Sequence, residues 1–394
     1  MRINTVSPIS FKAHYVNVDI GASSTYGSMK IRTLDDKGRL IDYKRTTVFN
    51  QTEPRNEKSF EENVARKVLA SESQNKEAIA KADPDNEMYL TVCYPGPKVN
   101  ENGKDGFRLS NFFYDDARTR RFEKPITPSN IDSYIAARGI NLVQSRHAND
   151  MAGAGACLLS KIQKEHPDML IEGNEIVFLY PGGGLGSGII TVDKHDIKIK
   201  PSEVQHARKA TAELKPLEAD VGVHGLIKNF ANTLDLTQEE RNAISGNAMA
   251  VTTYSEFKKH CPDFSKEEHD NASRAAIDLF MDSLAEITAM EICALKTKSV
   301  ILTGNVANGS REAVNNNPEF VAKEEYMTDG CDKFTAIFRE KVDGNLTPVG
   351  KVILGDANNL DLRFITVKDN TEGAEILQKC EEVGKPAKWY NMQK

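Results

Sequence analysis

The sequence predicts an α/β protein built from two similar halves, and three observations support this. Two strand–turn–strand hairpins, near residues 15–34 and 175–192, have turns rich in glycine and small residues, and helical segments follow both. With 394 residues, the chain is long enough to bury two cores. Apolar residues at 39% and charged residues at 27% are ordinary for a globular protein.

The boundaries of the predicted elements come from alternating apolar residues, helical periodicity and Gly or Pro stops. In the first half the strands are 15–20, 28–34, 39–48, 87–94 and 141–146, and the helices are about 59–82, 128–139 and 149–164. In the second half the strands are 175–179, 189–192 and three more near 300, 334 and 351; residues 201–264 are mostly helical, and a long amphipathic helix spans about 271–296.

The longest glycine run, residues 180–188 (Tyr-Pro-Gly-Gly-Gly-Leu-Gly-Ser-Gly), lies between two predicted strands. A P-loop would need Gly-Lys-Ser/Thr before a helix, and a Rossmann fingerprint would need GxGxxG before a helix. Glycines without Cβ let backbone N–H groups turn toward an anion at close range. The run is therefore either a phosphate cradle of another kind or a hairpin turn without a ligand.

Asp19 ends the first strand, and Gly21, Ser23 and Ser24 belong to the turn after it. A carboxylate beside glycine and small hydroxyl residues suits a hydrated Mg²⁺ that carries nucleotide phosphates. The alternative is a buried-strand Asp that caps its own turn.

Asn149 and Asp150 follow a short strand and begin a helix. A carboxylate in the first turn of a helix is stabilised by the macrodipole, by about 0.3–1 kcal/mol, which keeps it ionised as a general base must be. The helix continues with Ala and Gly over residues 152–156, so neighbouring backbone or a flat sugar ring could approach it closely. The alternative is a plain N-cap pair, which capping alone would explain.

These motifs, in this order, resemble the actin-like ATPase and sugar kinase superfamily, and within it the ROK sugar kinases and bacterial glucokinases. Asp19-x-Gly21-x-Ser23 resembles the first phosphate motif, residues 182–188 resemble the second, and residues 300–306 resemble the adenosine motif. The resemblance implies ATP and Mg²⁺, with Mg²⁺ bound to Asp19 through water. The implied ATP-binding residues are Asp19, Gly21, Ser23, Ser24, Gly182, Gly183, Gly184, Gly186, Gly304 and Asn305.

In ROK kinases an Asn-Asp pair binds the sugar and its Asp accepts the hydroxyl proton. The resemblance therefore implies that Asp150 is the catalytic base and that Asn149 and Asp150 both contact the sugar. Asn111 resembles the Asn of the family's Pro-Asn-Leu segment, which also reaches the sugar.

Two further segments resemble sugar-binding motifs of the same kinases. Glu203-Val204-Gln205-His206 resembles Glu-x-Gly-His, and Leu217-Glu218-Ala219 resembles the downstream Leu-Glu-Ala. Glu203, His206 and Glu218 are accordingly implied sugar contacts. Glu203 and His206 could instead be a solvated pair on one face of a helix.

The sequence also departs from the family pattern. Gly183 stands where the second phosphate loop usually has Thr, and Ser24 stands where the first motif usually has Lys. The zinc-binding Cys-x-Cys-Gly-x-x-Gly-Cys motif is absent, so no zinc is expected.

The resemblance implies a fold of two ribonuclease H-like domains around a central cleft. We expect a flexible tail over residues 1–14, a smaller α/β domain over 15–147, a larger one over 148–362, and a segment over 363–394 that packs back on the first domain. A homodimer is also expected from the resemblance.

The composition limits the classes of partner and the compartment that we expect for this protein. A net charge of −6 without a long basic run argues against nucleic acid, and no apolar stretch reaches the roughly 18 residues of a membrane span. Six dispersed cysteines and the lack of an apolar signal segment at the start of the sequence predict a cytoplasmic protein.

The predicted function is ATP-dependent phosphorylation of a hexose hydroxyl in carbohydrate metabolism, as in a glucokinase. The alternative is a sugar-binding sensor of the same fold with a decayed nucleotide site, which Gly183 and Ser24 would explain. A third hypothesis is a kinase for acetylhexosamines or for acids.

Overall fold

The computed structural model describes residues 13–22, 26–101, 103–115, 120–193, 196–202, 217–367 and 370–378. The chain divides into two compact units. The first comprises residues 1–161, 193–201 and 369–394, and the second comprises residues 162–192 and 202–368. The predicted N-terminal tail lies outside the described residues as far as residue 12.

The first unit is built on a mixed five-stranded sheet with the order β3-β2-β1-β4-β7. The strands, with the separate hairpin β5–β6, are β1 (Ala13–Gly21), β2 (Ser28–Leu34), β3 (Leu40–Thr47), β4 (Glu87–Tyr94), β5 (Lys98–Glu101), β6 (Lys104–Phe107) and β7 (Asn141–Asn149). The helices are α1 (Glu57–Gln74), α2 (Lys76–Ala82), α3 (Pro128–Ala136), α4 (Asp150–Glu165) and, near the C-terminus, α13 (Asn370–Gln378). β1, β2 and β3 are antiparallel neighbours, whereas β1, β4 and β7 run parallel.

The alternation of β1 separates an apolar face from a polar face. Val16, Val18 and Ile20 point to one face, where they pack with Phe60 and Val64 of α1 in the core of the unit. This burial fixes the register of the sheet, because a slip by one residue would exchange the two faces.

The polar face of the same sheet carries α13. This helix lies against β1 and β4, and Gln378 hydrogen-bonds the hydroxyl of Thr91 in β4. Arg32 of β2 donates to Glu372 of α13 at 3.2 Å. The C-terminal helix is therefore held by polar contacts across three strands.

The second five-stranded sheet has the order β10-β9-β8-β11-β12, and its strands other than β10 lie, apart from Asp193, in the second unit. Its strands are β8 (Glu175–Pro181), β9 (Leu185–Asp193), β10 (Asp196–Ser202), β11 (Ser299–Leu302) and β12 (Asp361–Phe364). The helices are α5 (Val223–Thr233), α6 (Gln238–Ala243), α7 (Ala248–Thr252), α8 (Tyr254–Phe257), α9 (Lys266–Leu295), α10 (Asn305–Asn316), α11 (Lys333–Asn345) and α12 (Pro348–Leu354). β8 and β9 form an antiparallel hairpin, and β11 runs parallel to both β8 and β12.

The two sheets repeat one topology. In each, the first strand of a hairpin is central, its hairpin partner and the next strand lie on one side, and two later strands lie on the other. This duplicated order confirms the predicted α/β class with ribonuclease H-like sheets.

The predicted strands near residues 334 and 351 are wrong, because both segments are helical. α11 buries Phe334, Phe338 and Val342 at helical spacing, and the hydroxyl of Thr347 caps α12, which has Pro348 in its first turn. The last strand of the sheet is β12, which the sequence analysis missed.

Two smaller corrections concern the first half of the chain and the end of the glycine hairpin. The single helix predicted over 59–82 is two helices, since Asn75 leaves the helical conformation between them. Strand β10 follows the glycine hairpin and was not predicted.

None of the helices in the described ranges is long and apolar enough to cross a membrane. The cysteines of those ranges are free thiols; Cys93, Cys157 and Cys261 are buried, and Cys293 and Cys331 are half-buried.

Candidate functional site

Two carboxylates lie at the carboxyl edge of the parallel strands in the first unit. The register pairs Asp19 of β1 with Cys93 of β4, and Cys93 with Ala148 of β7. Asp150 begins α4 directly after β7 ends at Asn149. Ligands of open α/β sheets bind at the carboxyl ends of the strands, so this edge is the candidate site of the first unit.

The buried thiol of Cys93 lies within electrostatic reach of both carboxylates. Burial raises the pKa of Cys93 well above its usual value, and the negative charges of Asp19 and Asp150 raise it further. A thiol kept protonated in this way is a poor nucleophile. Cys93 is therefore near both acids without being a reactive group. The sequence analysis missed it, although it ends the strand next to β1.

Asp19 forms an ion pair with a lysine that the sequence analysis did not identify. Lys30 of β2 lies opposite Asp19 in the register, and its Nζ donates to Asp19 Oδ2 at 3.0 Å. Asp19 is buried and Lys30 is partly exposed, so the ion pair is partly shielded from water. The antiparallel hairpin β1–β2 was predicted, and counting its register could have paired the two residues.

Asn149 and Asp150 have different local roles. The N–H of Met151 donates to Asn149 Oδ1 at 2.7 Å and to Asp150 Oδ1 at 2.9 Å. Asn149 is buried and its Nδ2 donates to the carbonyl of Gly96 at 2.7 Å, whereas Asp150 is partly exposed. These two contacts orient the Asn149 amide and leave its second N–H and its second lone pair for a further partner.

The Pro-Gly-Pro turn over residues 95–97 connects Asn149 to the segment that contains Asn111. Gly96 has φ +133°, and a Cβ there would lie 2.9 Å from the backbone nitrogen of Ser110, so only glycine fits. The Ser110 N–H donates to Pro95 O at 2.7 Å, and Asn111 follows in the left-handed conformation with φ +60°. One turn therefore ties the Asn111 segment to Asn149.

In the second unit, residues 182–184 form the tight turn between β8 and β9. The N–H groups of Val223 and His224, in the first turn of α5, donate to the carbonyls of Gly182 at 2.8 Å and Gly183 at 3.5 Å. Gly182 donates to Gly184 O at 2.7 Å, and among the hydrogen bonds of the described residues none uses the N–H of Gly183 or Gly184. The carbonyls are thus tied to α5, and two N–H groups remain for an anion.

Two other glycines pack against this turn. Gly222 has φ +93°, and a Cβ there would lie 2.6 Å from Gly184 O. Gly304 precedes α10 with φ +92°, and its Cβ would lie 3.2 Å from Pro181 O. Asn305 is the first residue of α10. The residues of the second phosphate motif and of the adenosine motif are therefore adjacent at one edge of the second sheet.

Each of the remaining predicted site residues either has a position in the fold that the structure gives or lies outside the described ranges. Ser23, Ser24, Glu203 and His206 lie outside the described residues, and Glu218 lies in the 3-10 turn Leu217–Asp220, where its side chain is not described. Gly186 pairs with Tyr180 in the β8–β9 ladder, and Gly21 ends β1. Within the described ranges, no three His, Cys, Asp or Glu side chains are grouped for a metal ion.

No protein-family model matches the chain, and no curated protein matches it in sequence. Solved structures do match in fold. The glucokinase of Balamuthia mandrillaris in complex with glucose aligns over 92% of both chains, with a TM-score of 0.57 and 15% identity. A ROK family glucokinase from Streptomyces griseus, in complex with glucose and AMPPNP, aligns over 92% of this chain and 96% of its own, with a TM-score of 0.53 and 10% identity.

The chain has the fold of the ROK glucokinases. A ROK family transcriptional regulator, a homolog of the E. coli MLC protein, shares this ROK fold over 93% of this chain and 78% of its own, with a TM-score of 0.54 and 12% identity. Because the ROK fold serves both enzymes and regulators, the function has to be argued from the site.

Proposed function

We propose that the protein is an ATP-dependent hexose kinase in which Asp150 is the general base. One observation carries this proposal: the carboxylates of Asp19 and Asp150 flank the buried Cys93 at the carboxyl edge of one sheet. In such a pair, one carboxylate serves the metal ion and the other serves the substrate hydroxyl. Phosphoryl transfer depends mainly on positioning and charge neutralisation, so a single base suffices.

Asp150 accepts the proton of the sugar hydroxyl as its oxygen attacks the γ-phosphorus of ATP. The new bond joins the sugar oxygen to phosphorus, and the bond between phosphorus and the ADP oxygen breaks. The position of Asp150 at the start of α4 supports this role, because the helix dipole stabilises the ionised carboxylate. Its partial exposure leaves it accessible to a substrate.

Asn149 and Asn111 bind sugar hydroxyls in this proposal, together with Glu203, His206 and Glu218. The contacts of the turn over residues 95–97 support the first two, since they bring both segments to one place in the first unit. The two glucokinases of similar fold are complexes with glucose, which favours a hexose as the substrate class.

Asp19 holds Mg²⁺ through water in this proposal. The residues fit such an ion, because Asp19 supplies a carboxylate oxygen donor at the end of the sheet, and Mg²⁺ usually keeps several of its waters. Bound there, Mg²⁺ would neutralise charge on the nucleotide phosphates. Lys30 adds a second positive charge at the position, which compensates for the missing Lys of the first motif.

The glycine turn over residues 182–184 binds phosphate oxygens of ATP through its backbone. The two N–H groups of Gly183 and Gly184 support this, and they do not require the Thr side chain that Gly183 replaces. Gly304 and Asn305 then contact the adenosine. The AMPPNP bound to the glucokinase of Streptomyces griseus favours ATP as the phosphoryl donor.

The test is a panel assay of ADP release by the purified protein with Mg-ATP and each of the common hexoses and N-acetylhexosamines. We expect sugar-dependent ADP release with at least one hexose, and a phosphorylated sugar in equal amount by mass spectrometry. ADP release that does not depend on any sugar would contradict the proposal.

The second candidate function is a sugar-binding regulatory protein. The ROK regulator of similar fold and the replacement of Thr by Gly183 favour it. Saturable binding of a hexose by calorimetry, without turnover and without binding of AMPPNP, would favour the regulator over the kinase.

A further inference from the structure

The first turn of α4, which carries Asp150, is in direct backbone contact with α13. A Cβ added to Gly373 would collide with the carbonyl oxygen of Gly153 and would lie 2.5 Å from its carbonyl carbon and 3.0 Å from its Cα. No side chain larger than hydrogen fits between the two helices at this point. The Ala- and Gly-rich surface of α4 therefore receives neighbouring backbone.

The same turn also contacts the end of β4. A Cβ on Gly153 would lie 3.1 Å from Cys93 Sγ and 3.6 Å from Asn370 O. On this side the turn therefore faces both Cys93 and the start of α13. Since Asp150 lies one turn before Gly153, any shift of this turn changes the separation of Asp150 from Asp19.

The sheet holds α13 in place. Glu372 pairs with Arg32, and Gln378 hydrogen-bonds Thr91 and, at 3.2 Å, Gln144. Gly373 and Ala374 are buried between these contacts. α13 therefore acts as a fixed support against which the first turn of α4 is set.

We propose that Gly373 is a positioning residue for Asp150: its backbone contact with Gly153 sets the first turn of α4 against Cys93. The inference rests on the proposed kinase function for its catalytic consequence, but the contact can be tested without activity. It assigns a role in the site to a helix that contributes no group to the chemistry.

The test compares Gly373→Ala with Gly344→Ala. Gly344 lies in α11, and a Cβ there would meet no atom within 4 Å, so this control adds the same methyl group to a helix without a contact. We expect Gly373→Ala to lower kcat on the order of 10–100-fold, because a displacement of about 1 Å at the base is sufficient for such a loss. The KM for ATP should change by less than roughly three-fold, since the glycine turn of the second unit is untouched.

Alkylation of cysteines in the native protein, measured by peptide mass spectrometry, reports on the same contact. We expect Gly373→Ala to speed the labelling of Cys93 by roughly ten-fold, because a displaced turn would no longer cover its thiol. Labelling of Cys261, which is equally buried, should stay unchanged. General loss of structure would speed both. If Gly373→Ala does not fold, Gly153→Ala is the gentler change in the same turn and should lower kcat by a smaller factor.

A kcat within two-fold of that of Gly344→Ala, or a lower kcat without faster labelling of Cys93, would overturn the proposal. If the wild type shows no turnover with any sugar, the kinase proposal fails by itself. The ratio of Cys93 to Cys261 labelling then decides on Gly373, since an unchanged ratio overturns its positioning role.

Discussion

At the scale of residues, Asn149 and Asp150 differ in their contacts and in their exposure. Asn149 makes two hydrogen bonds, one to the first turn of α4 and one to Gly96, so its first role is structural. Asp150 is the partly exposed member of the pair and lies near Cys93. The capping interpretation therefore explains Asn149 well, and the catalytic role of Asp150 is a proposal that a variant can test.

Asp150→Ala should abolish most sugar-dependent turnover and leave the fold intact. The loss of a general base costs on the order of 10²–10⁴ in kcat. Helix α4 should lose roughly 1 kcal/mol or less, because Asn149 still accepts the N–H of Met151. Steady-state kinetics and a thermal melt on the same sample measure both effects.

The control for this variant is Asp85→Ala, which removes an exposed carboxylate from a turn of the same unit. Turnover of Asp150→Ala within a few-fold of the wild type would exclude Asp150 as the base. Unchanged turnover in the control is required for either conclusion.

At the scale of elements, one buried histidine connects β1 to the helices behind it. His14 lies 2.8 Å from Glu72 of α1 and 2.7 Å from Asp83, the residue after α2, and is fully buried. Burial lowers the pKa of His14, but the hydrogen bonds and negative charges of Glu72 and Asp83 outweigh it, so that the pKa is raised. The imidazolium thus holds two helices to the first strand.

This arrangement predicts a pH-dependent stability. Because the pKa of His14 is higher in the folded than in the unfolded state, its stabilisation is complete below the unfolded pKa of about 6.5 and is lost as the pH rises through the folded value. His14→Ala should lower the free energy of unfolding by about 3–5 kcal/mol at pH 6, since it leaves two buried carboxylates without their cation.

Urea unfolding at pH 6 and at pH 8.5 measures the effect, with His166→Ala as the control in the second unit. From pH 6 to pH 8.5, the free energy of unfolding should fall by more in the wild type and in the control than in His14→Ala. An equal loss in all three proteins would show that His14 makes no contribution to the pH dependence.

A second element, the first turn of α5, supports the glycine turn. Gly222→Ala should raise the KM for ATP by about ten-fold or more, because its Cβ would lie 2.6 Å from Gly184 O and displace the phosphate cradle. Gly246→Ala is the matched control. Gly246 also has a positive φ, of +75°, but a Cβ there would meet no atom within 4 Å. A KM equal in the two variants would mean that backbone strain alone accounts for the effect.

At the scale of the whole molecule, the residues named in the proposal divide between the two units. The carboxylate pair belongs to the first unit, and the glycine turn with Gly304 belongs to the second. The duplicated sheet order explains this division, since each hairpin presents its turn at the same edge of its own sheet.

Hydrogen exchange in the presence of each ligand should separate the two parts. A hexose should slow exchange at Tyr94, Gly96 and residues 149–153, and a non-hydrolysable ATP analogue should slow it at residues 182–186, because a ligand stabilises the segments that it contacts. Glycerol at the same concentration is the control for a general solvent effect. If the nucleotide slows exchange elsewhere and the exchange rate at residues 182–186 stays unchanged, the phosphate-binding role of the glycine turn is contradicted.

The sequence predicted most of the first unit because its signals are local. Strand β4 was predicted at residues 87–94, where the structure has Glu87–Tyr94, since alternation and the following Pro-Gly-Pro define both ends. The strands near 334 and 351 were wrong because short apolar runs fit a strand and a buried helix equally well. The caps at Asp332 and Thr347 were the signals that could have corrected them.

By itself, the sequence determined where the glycine turns lie, that Asp19 lies near the end of a strand and that Asp150 follows one. These features depend on residues that are neighbours in the chain. Only the tertiary structure decided that Cys93 lies within electrostatic reach of both carboxylates and that Gly373 touches Gly153. Such contacts join residues far apart in sequence through strand register and helix packing, and a local pattern of residue types carries no information about them.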